Sequence, residues 1–194
     1  SGGALFDLNK LNDISKDVLV KIPADQLYDF LLDWAKRSRP EVASLLEADR
    51  GYVEKILDLG RTGNKPRKDF ICAKQMFDFI SYFFDDYFVI EDTIPEEVSD
   101  EDAAEILRRY LDSYDHSDDQ SAWFDKIRAI ATEMGYAAKP KDFKKNPDQY
   151  KGHVGHVSTV IRIAVMGRSQ SPDVWEIQQI LGEDRTKERI GMLI

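Results

Sequence analysis

Arg162, Arg168 and Ser171 lie close together in VIRIAVMGRSQSPDVWEIQQIL, residues 160–181. All three are donors of the kind that hold phosphate oxygens or base edges. The pattern around them reads as helix, glycine stop, polar loop and helix start. Val160, Ile161, Ile163, Ala164 and Val165 are apolar. Gly167 accepts a left-handed backbone at little cost and so can end a helix. Ser171 then suits an N-cap, Pro172 a first helical turn and Asp173 the positive end of the helix dipole. Val174, Ile177, Ile180 and Leu181 give the next helix an apolar face. Open backbone N–H groups at such a corner add to its attraction for anions. A second cluster, GRTGNKPRK at 60–68, places Arg61, Lys65, Arg67 and Lys68 in a loop stiffened by Pro66. Its arginines can make planar two-pronged contacts that lysine cannot. A third runs through 138–152, where Lys139, Lys141, Lys144, Lys145 and Lys151 alternate with Phe143 and Tyr150.

Other chemistries lack their parts. His153-Val-Gly-His156 has metal-like spacing, but a zinc site needs further ligands, and Cys72 is remote in sequence. The flanking glycines favour a helix entry, so no metal is expected. No nucleophile elbow accompanies the histidines, and GRTGNK lacks the spacing of a phosphate-binding P-loop. Asp85-Asp86 reads as a solvated helix end. No catalytic residue is expected.

The net charge is −9, which argues against a general nucleic-acid binder or DNA as partner. The acid is concentrated: residues 85–120 hold fourteen Asp/Glu against two Arg, while 121–194 hold twelve Lys/Arg against nine Asp/Glu. Phosphate should avoid the first stretch and approach its flanks. No run reaches the roughly 18 apolar residues of a membrane span, and no leader pattern is evident. The single Cys72 suits a reducing, cytoplasmic setting.

Helical periodicity accounts for the chain. After an apolar cluster (Leu5, Phe6, Leu8, Leu11) and a short helix at 13–21, residues 24–38 place Leu27, Phe30, Leu31 and Trp34 on one face. Helices are expected at 41–59 and at 69–85, where the aromatic stripe reads as core. Ser99 with Asp102 resembles a capping box that opens a helix through 114. Further helices follow at 118–135, 155–166, 172–181 and 183–193, with 138–152 irregular. The fold class is all-α, in two helical subdomains, 1–92 and 93–194.

The run RIAVMGRSQSPDVWEIQQILGEDRTKERI resembles the C-terminal end of bacterial glutamyl-tRNA synthetases, class I aminoacyl-tRNA synthetases. Arg162, Gly167, Ser171, Pro172, Val174, Glu176, Ile177, Leu181, Gly182 and Arg189 fall in register with that pattern. Residues 3–19 resemble the F-D-x-x-K-L opening of the segment that follows the catalytic core, and 60–88 resemble the first anticodon-binding subdomain of one subset. One departure is Asp13 and Ser15, where the commoner pattern has Trp and Asn. The resemblance implies a helical cage that unstacks the anticodon of glutamate tRNA, where single-stranded bases expose edges and faces. Arg162 would reach an anticodon base. Ser171, Pro172 and Val174 would pack against and hydrogen-bond the splayed bases. Arg67 or Arg61, with Arg67 preferred, would read the third base. Charge alone assigns Arg168 and the lysines of 139–145, among them Lys144 and Lys145, to phosphates. Trp175 reads as core, with a stacking surface as the alternative. The adenylate-forming signatures are absent from this stretch. ATP and Mg are therefore expected in a covalently linked catalytic domain, with no cofactor here, and the whole is expected to be a monomer. The competing expectation is an all-α protein–protein interaction module that uses the acidic 85–120 block.

Overall fold

The computed structural model describes residues 21–61 and 72–194. All its regular elements are helical, so the all-α expectation holds. The expected helix at 13–21 lies almost wholly outside the described residues, as do Arg67, most of the 60–68 loop and the start of the helix at 69–85. The chain divides into two compact units, ending at Tyr87 and beginning at Phe88. Residues 88–92, which the sequence reading places with the first subdomain, belong to the second unit.

In the first unit, α1 (Ala24–Ser38) packs on α2 (Pro40–Ala48), α3 (Arg50–Asp58) and α4 (Ala73–Ile80). Leu27 and Leu31 of α1 are fully buried, as the heptad-like spacing requires. The helix expected across 41–59 is broken at Asp49. Its carboxylate accepts the Tyr52 N–H at 3.0 Å and caps a new helix there. The apolar pattern runs across the break and hides it. The helix expected through 85 ends at Ile80 and continues as 3-10 turns, Ser81–Phe83 and Asp85–Tyr87. Asp85 and Asp86 are exposed there. The aromatic stripe is core: Phe77 meets Trp34, Phe84 and Tyr87 at ring distances of 6.3, 6.2 and 5.2 Å.

The second unit is built round one buried helix. Helix α5 (Asp100–Ser113), α6 (Gln120–Glu133) and α10 (Glu183–Gly191) all pack on α8 (Val154–Met166), and α9 (Val174–Leu181) packs on α10. A short α7 (Pro140–Lys145) stands in the stretch expected to be irregular. It buries no side chain, so it leaves no apolar period to read. Ser99 caps α5 by accepting the Asp102 N–H at 3.1 Å. The Asp102 carboxylate does not complete a box. It accepts from the Tyr136 hydroxyl at 2.7 Å and Lys151 Nζ at 3.1 Å. Between the helices, the Tyr110 hydroxyl takes the Trp123 indole N–H at 2.8 Å and donates to Gln178 Oε1 at 2.8 Å. That trio satisfies three buried polar groups at once.

Candidate nucleic-acid interface

Helix α8 is buried almost all round. From Val160 to Gly167, Arg162 alone is not buried. One turn apart on the same stripe stand Gly155, Ser158, Thr159 and Arg162, at i, i+3, i+4 and i+7. This polar stripe floors an open cleft of about 520 Å³. Its walls come from Phe124 and Arg128 of α6 and from Lys139 and Pro140 at the start of α7. The wall stands where it does because residues 135–137 run beside 151–154. Ala137 N–H donates to Gly152 O at 2.9 Å, and Val154 N–H donates to Ala137 O at 2.8 Å.

The cleft carries one sign of charge. Arg128, Lys139 and Arg162 line it, and among its described lining residues none is acidic. Arg128 lies over the Phe124 ring, 4.5 Å from its centroid, with an ion pair to Asp125 at 3.3 Å behind it. An arginine spread over an aromatic face offers a flat cationic surface on which a base can stack. Sequence reading missed this pair, although the i, i+4 spacing of Phe124 and Arg128 on one helix was there to find it. His153 and His156 stand at the cleft's inner end and are a helix entry. His153 Nδ1 accepts the Gly155 N–H at 2.9 Å, and His156 Nδ1 accepts the His153 N–H at 3.1 Å. Burial, then the neighbouring His156, push the His153 pKa below the ordinary imidazole value. Lys144 and Lys145 are exposed on the last turn of α7.

The Gly167–Asp173 corner closes differently from the expectation. Gly167 takes φ +76° and ends α8, with its N–H donating to Ile163 O at 2.6 Å. The next helix begins two residues later than expected, at Val174. Its N-cap is Asp173, whose Oδ1 accepts the Glu176 N–H at 3.0 Å. Ser171 is therefore not the cap; its hydroxyl donates to Pro172 O at 2.7 Å. Pro172 lies ahead of the helix. Pro172 and Val174 are both buried, Val174 to 1% exposure, so they shape the corner from beneath and present no surface. Arg162 Nη1 reaches over to the Ser169 carbonyl at 3.4 Å. Arg168 pairs with Glu91 at 3.4 Å, and Asp92 accepts both Ser169 donors. Two members of the acidic stretch, Glu91 and Asp92, thus lie against the corner, and Glu91 offsets the charge of Arg168. Trp175 is half-buried and donates to Asp118 O at 2.9 Å, a structural role.

In the first unit, Arg61 is half-buried, and its guanidinium donates to the Ile22 carbonyl. Burial pulls its pKa down. Its hydrogen bond ties the end of α3 to the chain entering α1.

A family model described as an anticodon binding domain matches residues 26–194. The chain belongs to the anticodon-binding domain family. The domain is 61% identical over 194 residues to the glutamate–tRNA ligase of Acetivibrio thermocellus, covering 100% of this chain and 36% of that protein. It is 38% identical over 192 residues to the glutamate–tRNA ligase of Clostridium perfringens strain 13, covering 97% and 35%. It is also 38% identical over 195 residues to that of Sorangium cellulosum, covering 100% and 34%. The domain spans about a third of the length of these curated relatives. Among the described residues no helix is long and apolar enough to cross a membrane.

Proposed function

We propose that this domain binds the anticodon of glutamate tRNA as part of a cytoplasmic, monomeric glutamate–tRNA ligase. The remainder of that enzyme would supply ATP- and Mg-dependent glutamylation. The observation that carries the reading is the cleft beside Arg162. It is open, cationic, free of carboxylates among its described lining residues and walled by an arginine on an aromatic ring. Arg162 lines it from the polar stripe of α8, and Arg128 lines it from α6. Arg162 would take the base edge, Arg128 on Phe124 would offer a stacking face, and Lys139, Lys144 and Lys145 would meet phosphates. Arg168 and the Ser171 corner would flank that base, with Pro172 and Val174 holding the corner's shape. Arg61 or Arg67 would contact the anticodon from the first unit. Part of the acidic stretch serves the domain's own structure. Asp92, Asp102, Asp118 and Asp119 accept internal hydrogen bonds or ion pairs, which weakens its claim as a docking face for a basic protein.

The test is a titration of the chain with tRNA for glutamate, an unrelated tRNA and a DNA duplex at one salt concentration. The reading expects a clear preference for the first. Equal binding of all three would reduce the cleft to a non-specific cationic surface.

A further inference from the structure

Segment 89–92 has no part in the cleft, yet its polar groups converge on the corner beside Arg162. Glu91 N–H and Asp92 N–H both donate to the Gly167 carbonyl, at 2.8 and 3.1 Å. Asp92 Oδ2 accepts the Ser169 N–H at 2.6 Å and the Ser169 hydroxyl at 2.8 Å. The carbonyl of the same Ser169 accepts Arg162 Nη1 at 3.4 Å. One line of hydrogen bonds therefore runs from Asp92 through Ser169 to Arg162. Hydrogen bonds to an ionised oxygen are the strong kind, and a carboxylate can only accept. The Ser169 N–H first, then its hydroxyl, hold the Asp92 carboxyl below its ordinary range, so the acceptor persists at neutral pH. Holding residue 169 at its N–H and hydroxyl restrains the backbone that carries its carbonyl. A long guanidinium side chain loses much rotamer freedom when it is anchored, and a binding group held ready discriminates better than one that must be ordered by its ligand.

We propose that Asp92 is a positioning residue for Arg162, acting through Ser169 to hold the guanidinium at the angle that selects an anticodon base. The inference rests on the reading of Arg162 as a base contact. It predicts that losing Asp92 harms selection more than affinity.

The test uses the chain with Asp92→Ala, Asp92→Asn, Ser169→Ala, Arg162→Ala and the Asp92→Ala/Arg162→Ala pair. Each is titrated with tRNA for glutamate and with three transcripts that each carry one changed anticodon base. Asp92→Ala should lose about tenfold in discrimination, the size of one charge-assisted hydrogen bond, at the position that Arg162→Ala affects. Asp92→Asn, which keeps an acceptor oxygen, should restore most of it. Ser169→Ala, which keeps the backbone bond, should show a smaller loss at the same position and serves if Asp92→Ala does not fold. The double variant should be no worse than Arg162→Ala alone. Equal weakening toward all four RNAs, or fully additive losses, would overturn the proposal. If Arg162→Ala leaves every preference intact, the base-reading role fails instead. The link is then decided by the Arg162 Nε–Hε resonance. A shift in Asp92→Ala that Asp92→Asn reverses supports the link, and an unmoved resonance overturns it.

Discussion

Replacing Gly167 by alanine should damage both the second unit's stability and its selectivity. At φ +76° an added Cβ would sit 1.8 Å from the Val89 carbonyl oxygen, 2.8 Å from its carbon and 3.2 Å from Ile90 Cα. All three neighbours are backbone, so no side chain can swing aside. The left-handed conformation alone costs about 1–2 kcal/mol for a residue with a Cβ. Pushing segment 89–92 away also removes the two hydrogen bonds into the Gly167 carbonyl, each worth about 0.5–1.5 kcal/mol. Together these make about 2–5 kcal/mol, a large share of a domain's stability. Gly182 is the comparison without a clash, in a different glycine-favouring region at ψ 160°. Its φ is +89°, but an added Cβ meets nothing within 4 Å, so Gly182→Ala carries only backbone strain of about 1–3 kcal/mol. The assay is urea unfolding followed by Trp123 and Trp175 fluorescence in a Trp34→Phe background, paired with amide exchange at Glu91 and Asp92. Gly167→Ala should lower the midpoint further than Gly182→Ala and speed exchange at both amides. If the two variants are equally stable and the Glu91 and Asp92 amides stay protected, the packing argument for the corner is wrong.

Three further outcomes follow from other parts of the second unit. Lys144→Ala should weaken binding of every tRNA alike and reduce the slope of log affinity against log salt by about one, measured by titration at several salt concentrations. The His153 pKa is lowered in the fold, so its neutral form is the favoured one. The α8 cap should be intact above the unfolded imidazole value of about 6.5 and lose stability as pH falls below it toward the folded value. His153→Asn, which can still cap, should flatten that dependence in denaturation midpoints taken between pH 8 and 5, roughly the span over which imidazole titrates. Tyr110→Phe strands the Trp123 indole N–H and the Gln178 amide and should cost about 1–3 kcal/mol in chemical denaturation.

Local signals were the readable ones. The face of α1 followed from Leu27, Phe30, Leu31 and Trp34, because helical period is a property of neighbouring residues. The Ser99 cap and the glycine stop at Gly167 were legible for the same reason. The helix at 41–59 misled because Leu45, Leu46, Val53 and Ile56 keep an apolar rhythm across the Asp49 cap. At the candidate interface, Arg162 stood out because a charged residue inside an apolar run needs an exit. Its cleft did not, since Arg128 meets it through the packing of α6 on α8 and Lys139 through the pairing of 135–137 with 151–154. Ser171 and Pro172 read as a helix start, but Asp173, two residues further on, caps the helix by accepting the Glu176 N–H with its carboxylate. The clamp from Asp92 joins residues far apart in sequence, and no short-range pattern announces it.

The central claim is that Arg162 reads a base from the cleft floor. Its most direct test compares wild type with Arg162→Ala on tRNA for glutamate and on transcripts changed at single anticodon positions. The account predicts a loss of about 1–3 kcal/mol for the cognate RNA and a preference that collapses at one position. An equal loss across all transcripts would mean that Arg162 holds a phosphate, and would contradict it.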